Sequence, residues 1–350
     1  MRSIIITIAS CVFLLLACSN NADNNENPPV LPEIEGKIIV AYVTSWGTSM
    51  PDVSKLTHIN YAFGHINETF DGIRIDEEER FKAIAGLKQN NLSLKVLLSV
   101  GGFGSGGFSE MAADDAKRML FANDCKRVID EYGLDGVDID WEYPTFGIGG
   151  ISSLPDDSNN FSKLMKDIRS AIGNEKLLTI ATDASAKFIP FKDIVPYISY
   201  INIMGYEYAY PPYHHSALYS SERTKYITSD DAVKKHMSKG VPKNKLVLGV
   251  PFYGVGDTEK GLPGTITYKA IGSRFDSFEK KWDDMAKVPY YADADGLLVF
   301  SYDDAESLKH KCQYVVDNDL LGIMYWQYDG DDEQGTLRTT VNNALAPYIR

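Results

Sequence analysis

The chain has 350 residues, 44% apolar and 24% charged, which allows one large domain or two ordinary ones with a sizeable core. Its formal charge of −13 argues against nucleic acid or an anionic membrane surface as the main partner, because both repel it. A neutral or cationic ligand fits that balance.

In chain order, the first element lies outside the fold. Arg2 precedes the apolar run "SIIITIASCVFLLLA", which is too short for a membrane span and suits a secretory signal. It ends in Leu15-Leu16-Ala17-Cys18, which resembles the bacterial lipoprotein signal. That resemblance implies removal of residues 1–17 and a diacylglycerol on Cys18. Residues 18–35, polar and Pro-containing, read as a flexible tether holding the protein at a membrane of the cell envelope that it does not span.

From residue 36 to 350 the pattern is that of one folded unit, expected to be a monomer. The runs "KIIVAYV", "LTHINYAF", "LKVLLSV", "DGVDIDW", "KLLTIAT", "ISYINIM", "KLVLGVPF" and "LLGIMYW" are near-continuously apolar, as strands buried on both faces must be. Amphipathic stretches at 78–89, 114–132, 158–172, 229–239 and 304–317 separate most of them. Eight such strands with intervening helices predict an α/β fold, a (β/α)8 TIM barrel. An open doubly wound sheet is the alternative, but no Gly-x-Gly-x-x-Gly turn follows the first strand. Between strands seven and eight, residues 254–297 exceed a simple loop. "TITYKAI" and "VPYYADADGLLVFSY", around the turn pair Asp295-Gly296, predict a small α+β insertion on the top face. Cys125 and Cys312 sit on helical apolar stripes and are expected to stay unpaired.

The fourth run carries the chemistry. "GLDGVDIDWEYPT", positions 133–145, holds Asp135, Asp138, Asp140 and Glu142 beside Val137, Ile139 and Trp141. Alternation along a strand sends Asp138, Asp140 and Glu142 to one face and Asp135, Val137, Ile139 and Trp141 to the other. The apolar set packs under the helices; the three acids then climb the barrel interior, with Glu142 at the C-terminal mouth where barrel enzymes keep their active sites. Three neighbouring acids cannot all ionise cheaply, so at least one holds a proton at neutral pH, as a general acid requires. An EF-hand loop needs Gly and polar intervening residues where Tyr143, Ile139 and Trp141 stand. A purely structural carboxylate cluster is the other alternative. A carboxylic acid at a barrel mouth suits glycoside hydrolysis. Ordinary retaining enzymes flank the sugar with two carboxylates about 5–5.5 Å apart. Acids on a single strand approach from one side, so the nucleophile is expected from elsewhere, the substrate included.

Other motifs carry less. "GGFGSGGF" lacks the Lys-Ser/Thr of a phosphate loop, and neither Ser99 nor Ser105 lies in a Gly-x-Ser-x-Gly elbow. His214-His215 is an adjacent pair in a Pro-Tyr loop, where no metal is expected; "DGDDE" at 329–333 reads as a solvated acidic rim. No cofactor is called for.

"DGVDIDWEYP" resembles the Asp-x-x-Asp-x-Asp-x-Glu signature of glycoside hydrolase family 18, the chitinase family. "LLSVGG" with Ser99, Gly101 and Gly102, "YAF" with Phe63, "NIMGYEY" with Met204 and Tyr206, "GVPFYG" with Tyr253, and "GIMYWQYDGD" with Trp326 are similar to other strands of that family. The resemblance spans residues 36 to 345. It implies that Glu142 protonates the glycosidic oxygen while the 2-acetamido carbonyl of the sugar attacks the anomeric carbon, giving an oxazolinium ion and net retention. Asp140 would orient the acetamide and share a proton with Asp138, and Tyr206 would donate to its carbonyl. Trp326 would stack under the sugar, with Tyr143, Met204, Phe63, Tyr253, Gly101, Gly102, Trp46 and Glu207 as substrate contacts and Asp135 and Ser99 as supports. The implied substrate is an N-acetylglucosamine oligomer or polymer, chitin above all. An endo-β-N-acetylglucosaminidase on N-glycan cores and a non-catalytic sugar-binding protein are the alternatives; intact Glu142 disfavours the second. Glu207 stands where the family often has Asp, "GVPFYGVGD" lacks a frequent Arg, and the short insertion implies a shallower cleft.

Overall fold

The computed structural model describes residues 28–350; the signal-like run, Cys18 and the first part of the tether lie outside the described residues. Strand β1 (Ile38–Thr44) is followed by β2 (His58–Ile66), and a short β3 (Ile73–Ile75) folds back antiparallel onto β2. The strands β4 (Lys95–Gly101), β5 (Gly136–Asp140), β6 (Leu177–Asp183), β7 (Tyr200–Met204) and β8 (Leu246–Pro251) continue the parallel wall. The next five, β9 (Tyr253–Gly256), β10 (Thr265–Thr267), β11 (Glu279–Asp283), β12 (Val288–Ala292) and β13 (Leu298–Ser301), form a separate antiparallel sheet. Strand β14 (Gly322–Trp326) then pairs with both β8 and β1 and closes an eight-stranded TIM barrel.

Period-two alternation builds two cores from these strands. Ile39, Ala41 and Val43 of β1 and Val137, Ile139 and Trp141 around β5 face outward, into the layer under the helices. Ile38, Val40 and Tyr42 face inward, with Val247 and Met324. The helix Asp115–Tyr132 delivers the chain to β5. Asp114 caps it by accepting from the Ala116 and Lys117 amides, and Gly133 ends it at φ 64°, a left-handed turn that costs glycine nothing. Register does the rest, setting Asp138 beside Ser99 of β4 and Thr179 of β6, and Asp140 beside Gly101.

Trp141 is 1% exposed and stacks on Phe108 at 5.2 Å, with Phe161 at 6.0 Å. Trp141→Ala is expected to lower the unfolding free energy by about 3–5 kcal/mol, through lost transfer energy and the cavity left behind. Urea denaturation with an unchanged m-value checks this.

The insertion differs in detail from the sequence expectation. Its sheet runs from Tyr253 to Ser301, past residue 297, and "TITYKAI" splits into β10 and a one-turn helix, Tyr268–Ile271. Strand β11, "EKKWD", carries no apolar run because it is an exposed edge paired only with β12. Cys125 and Cys312 are buried and unpaired. Among the described residues, no helix is long and apolar enough to cross a membrane.

Candidate active site

Asp138 is fully buried, and its carboxylate collects four donors. Oδ2 accepts from the Tyr42 hydroxyl at 2.7 Å and from Ser99 Oγ at 2.8 Å. Oδ1 accepts from Thr179 Oγ1 at 2.5 Å and from Asn202 Nδ2 at 3.3 Å. Burial pushes the Asp138 carboxyl up, and the four donors pull it back. Asp140 above it has no such support: its Oδ1 has no hydrogen-bond partner. Burial, then the charges of Glu142 and Asp138, hold it well above the carboxylate range. Negative charge therefore sits best on Asp138 and the proton on Asp140.

Glu142 follows the end of β5, at the C-terminal mouth. Burial pushes its carboxyl up to about 7; the Tyr143 hydroxyl opposes the rise and the Glu207 charge adds to it. An acid with that value is about half protonated at neutral pH and can both give and take a proton there. Non-proline cis peptides lie at Ala62–Phe63 within β2, at Glu142–Tyr143 just past β5 and at Trp326–Gln327 at the end of β14.

These groups open onto a cleft of about 790 Å³, lined among others by Asp140, Glu142, Tyr143, Met204, Tyr206, Glu207, Tyr253 and Trp326. One wall is aromatic. Trp326 lies 5.6 Å from Tyr42, 5.6 Å from Phe63 in a stacked pair, and 6.3 Å from Trp46. Glu207, also in the lining, accepts from the Tyr253 hydroxyl at 2.7 Å and the Tyr210 hydroxyl at 3.3 Å. Tyr253 packs edge-on against Tyr206 at 5.9 Å.

Four sequence-selected residues stand behind the cleft rather than on it. A Cβ on Gly101 would meet the Asp140 carbonyl at 2.0 Å, and one on Gly102 would meet the Phe63 ring at 2.6 Å. The Gly102 amide donates to that same carbonyl at 2.9 Å, so this glycine pair lets β4 approach the acid-bearing strand closely. Ser99 holds Asp138. Asp135, at the opposite end, accepts from the Val96 amide at 2.8 Å and pairs with Lys88 at 2.7 Å.

Glu207 is not alone beside the acids of β5 in the cleft lining: Asp183, which the sequence reading does not single out, lines it too. Asp183 is occupied by the Ser185 amide at 2.8 Å and by the Ser185 hydroxyl. One expectation needs correction: "DGDDE" is not a solvated rim. Asp331 is 3% exposed and accepts from the Leu337 and Arg338 amides at 3.0 and 2.9 Å, capping the helix Thr336–Leu345. The burial of Asp331 runs against the usual exposure of acids.

His214 lies 3.1 Å from Asp283, and His215 is buried with its amide donating to Ser301. Among the described residues no group of three or more His, Cys, Asp or Glu is placed to hold a metal ion. Sequence reasoning missed Tyr42, Thr179 and Asn202. Each is a polar side chain at an inward position of an otherwise apolar strand, and the parity argument that singled out Asp138 finds them when applied to every strand.

Residues 38–331 match the family model described as glycosyl hydrolases family 18. The chain is 32% identical to Chitinase A1 of Niallia circulans, over 84% of its own length and 56% of that protein. It is 28% identical to Chitinase B of Serratia marcescens, over 81% of its own length and 74% of that protein. It thus spans little more than half of the first of these relatives. A solved family 18 N-acetylglucosaminidase from Paenibacillus barengoltzii superposes with a TM-score of 0.80 at 33% identity, covering 88% of this chain and 100% of that one. With the acid stack, the aromatic wall and the barrel that carries them, the chain belongs to glycosyl hydrolases family 18 and is chitinase-like.

Proposed function

We propose that the protein hydrolyses β-1,4 bonds following N-acetylglucosamine in chitin or chitooligosaccharides, with net retention and with the substrate's own acetamide as nucleophile. The observation that carries this reading is the vertical stack of Asp138, Asp140 and Glu142, protonated toward its top and held by four donors at its base. Glu142 gives its proton to the glycosidic oxygen as that bond breaks. The acetamide oxygen bonds to the anomeric carbon; Asp140 passes its proton toward Asp138 and, as the carboxylate, accepts the acetamide N–H and offsets the positive charge growing on that nitrogen. Tyr206, beside them in the cleft, donates to the acetamide oxygen and holds it in line. Water, deprotonated by Glu142, then opens the ring. Trp326 offers a ring face to the apolar face of the sugar. The chitinase names among the relatives support the substrate class. The N-acetylglucosaminidase supports an N-acetylated sugar at the cleavage site.

Glu207 is the competing nucleophile because it lines the same cleft. Both its oxygens are occupied by tyrosine hydroxyls, which makes it a poor one. Glu207→Gln is therefore expected to keep kcat within about tenfold of wild type, whereas loss of a true nucleophile costs several orders of magnitude. The de-acetylated oligosaccharide is expected not to be cut. Cleavage of it, with Glu207→Gln dead, would replace this mechanism by an ordinary double displacement. Wild type is also to be offered a high-mannose glycopeptide. Cleavage of that substrate in place of chitooligosaccharides identifies the N-glycan activity, and binding without any hydrolysis identifies a lectin. The sequence further supports a lipid on Cys18, so Cys18→Ser is expected to move the protein from the membrane fraction to the soluble one.

A further inference from the structure

The "DGDDE" stretch has a role that the proposed chemistry leaves unused. Trp46 stands on the cleft rim, 59% exposed, in the segment 45–52, which belongs to no strand or helix except for its first turn. Such a segment ordinarily moves, and ordering a moving ring on a ligand weakens binding. Here the segment is tied from two sides. Arg80, on the helix Glu78–Ala85, donates through Nε to the Thr44 carbonyl and through Nη2 to the Ser49 carbonyl, each at 3.0 Å. Asp329, just beyond β14, accepts from the Ser49 amide at 3.1 Å and lies 3.8 Å from Arg80. The side chains are only 15% and 11% exposed. Two more links run the same way: the Asp52 amide donates to the Tyr328 hydroxyl at 2.8 Å, and Thr44 donates to the Gln327 side chain at 2.7 Å. Every acceptor or donor on the second side belongs to residues 327–329, directly after Trp326. The two indoles, 6.3 Å apart, are thereby mounted on one brace.

We propose that Arg80 and Asp329 are positioning residues that fix Trp46 relative to Trp326, so that sugars beyond the one being cleaved stack across a prearranged pair of rings. The clamp sets the preference for longer chains. This rests on the N-acetylglucosamine reading above. Lysine cannot replace Arg80, because a point charge on a flexible stem does not reach two carbonyls in a fixed fork. Gly47 is part of the device: a Cβ there would meet Asp329 Oδ2 at 2.1 Å, so a side chain must push the carboxylate out of the clamp.

The test compares Arg80→Met, Arg80→Lys and Gly47→Ala with wild type on chitooligosaccharides from dimer to hexamer. The expected result is a fall on the order of tenfold in the kcat/KM ratio of hexamer to the shortest substrate cut, arising in KM. Gly47→Ala, which leaves both charged residues present, gives the same direction. kcat on the shortest substrate stays at the wild-type value. Hydrogen exchange gives a readout independent of activity: the Ser49 and Asp52 amides lose protection in Arg80→Met while the β1 amides keep theirs. An unchanged length preference, an equal loss on every length, or unchanged protection overturns the clamp. If wild type cuts no N-acetylglucosamine oligomer, the functional reading fails and the exchange measurement alone decides the clamp.

Discussion

Glu142→Gln is expected to lower kcat by about 10²–10⁴-fold, because the amide cannot protonate the leaving oxygen. Circular dichroism and substrate binding are expected to stay close to wild type. The same substitution is expected to stabilise the protein at alkaline pH. Burial raises the Glu142 carboxyl from its ordinary 4.5 to about 7 in the folded state. Below 4.5 both states hold the proton and the group contributes no difference. Between 4.5 and about 7 the unfolded chain releases it while the folded chain keeps it, so stability falls with rising pH, and above 7 the loss is constant. Each pH unit crossed in that window costs about 1.4 kcal/mol, so the whole loss is roughly 3 kcal/mol. Glutamine removes this contribution. Its melting temperature should exceed that of wild type at pH 8 and match it at pH 4. A variant that is inactive yet no more stable at pH 8 would mean that the buried charge is compensated by another group. Activity itself should fall as pH rises through about 7, when Glu142 loses its proton. It should fall again on the acid side, when the charge shared by Asp138 and Asp140 is titrated as a pair.

Asp138→Asn is expected to be nearly as damaging as Asp138→Ala, although it keeps the shape. The four groups around Asp138, from Tyr42, Ser99, Thr179 and Asn202, all donate to it. An asparagine amide turns one acceptor into two donors facing donors, and alanine leaves all four without a partner. Each buried group left unpaired costs about 1–3 kcal/mol, so a loss of about 3–5 kcal/mol in stability is expected when the hydroxyls find partial alternatives. kcat should also fall by about 10²-fold or more, since Asp140 loses the charge that keeps it protonated and oriented. Equilibrium denaturation and steady-state kinetics on the same preparations check both. A stable Asp138→Asn variant with full activity would show that the base of the stack is structural filler.

Much of the site was legible because a carboxylate in an apolar strand is conspicuous. "DGVDIDWEYP" announces its own face by parity, whereas the glycine pair after "LLSV", expected as substrate contacts, shows its role in close backbone packing only in the structure. Glu207 is legible from the resemblance as a substrate contact and as a departure from Asp; the tyrosine hydroxyls that occupy its carboxylate depend on how β7, β8 and their loops lie in the barrel. The acids at 329–333 misled because composition predicts exposure, whereas Asp331 and Asp329 serve as acceptors for amides brought from 337–338 and from 49. Strand β11 stayed silent because an edge strand is stabilised by pairing on one side and needs no apolar run.

The sequence alone determined the barrel, the identity of the acid-bearing strand and the inward face of Asp138, Asp140 and Glu142. All of these follow from local periodicity, which a side chain's position in its own strand decides. Tertiary structure decided which donors surround Asp138, which carboxylates share the cleft, and how Trp46 is fixed beside Trp326. These depend on contacts between residues as far apart as Tyr42 and Asp138, or Ser49 and Asp329. Closing the sheet into a barrel is what brings such residues together, and no pattern within a single strand encodes their register.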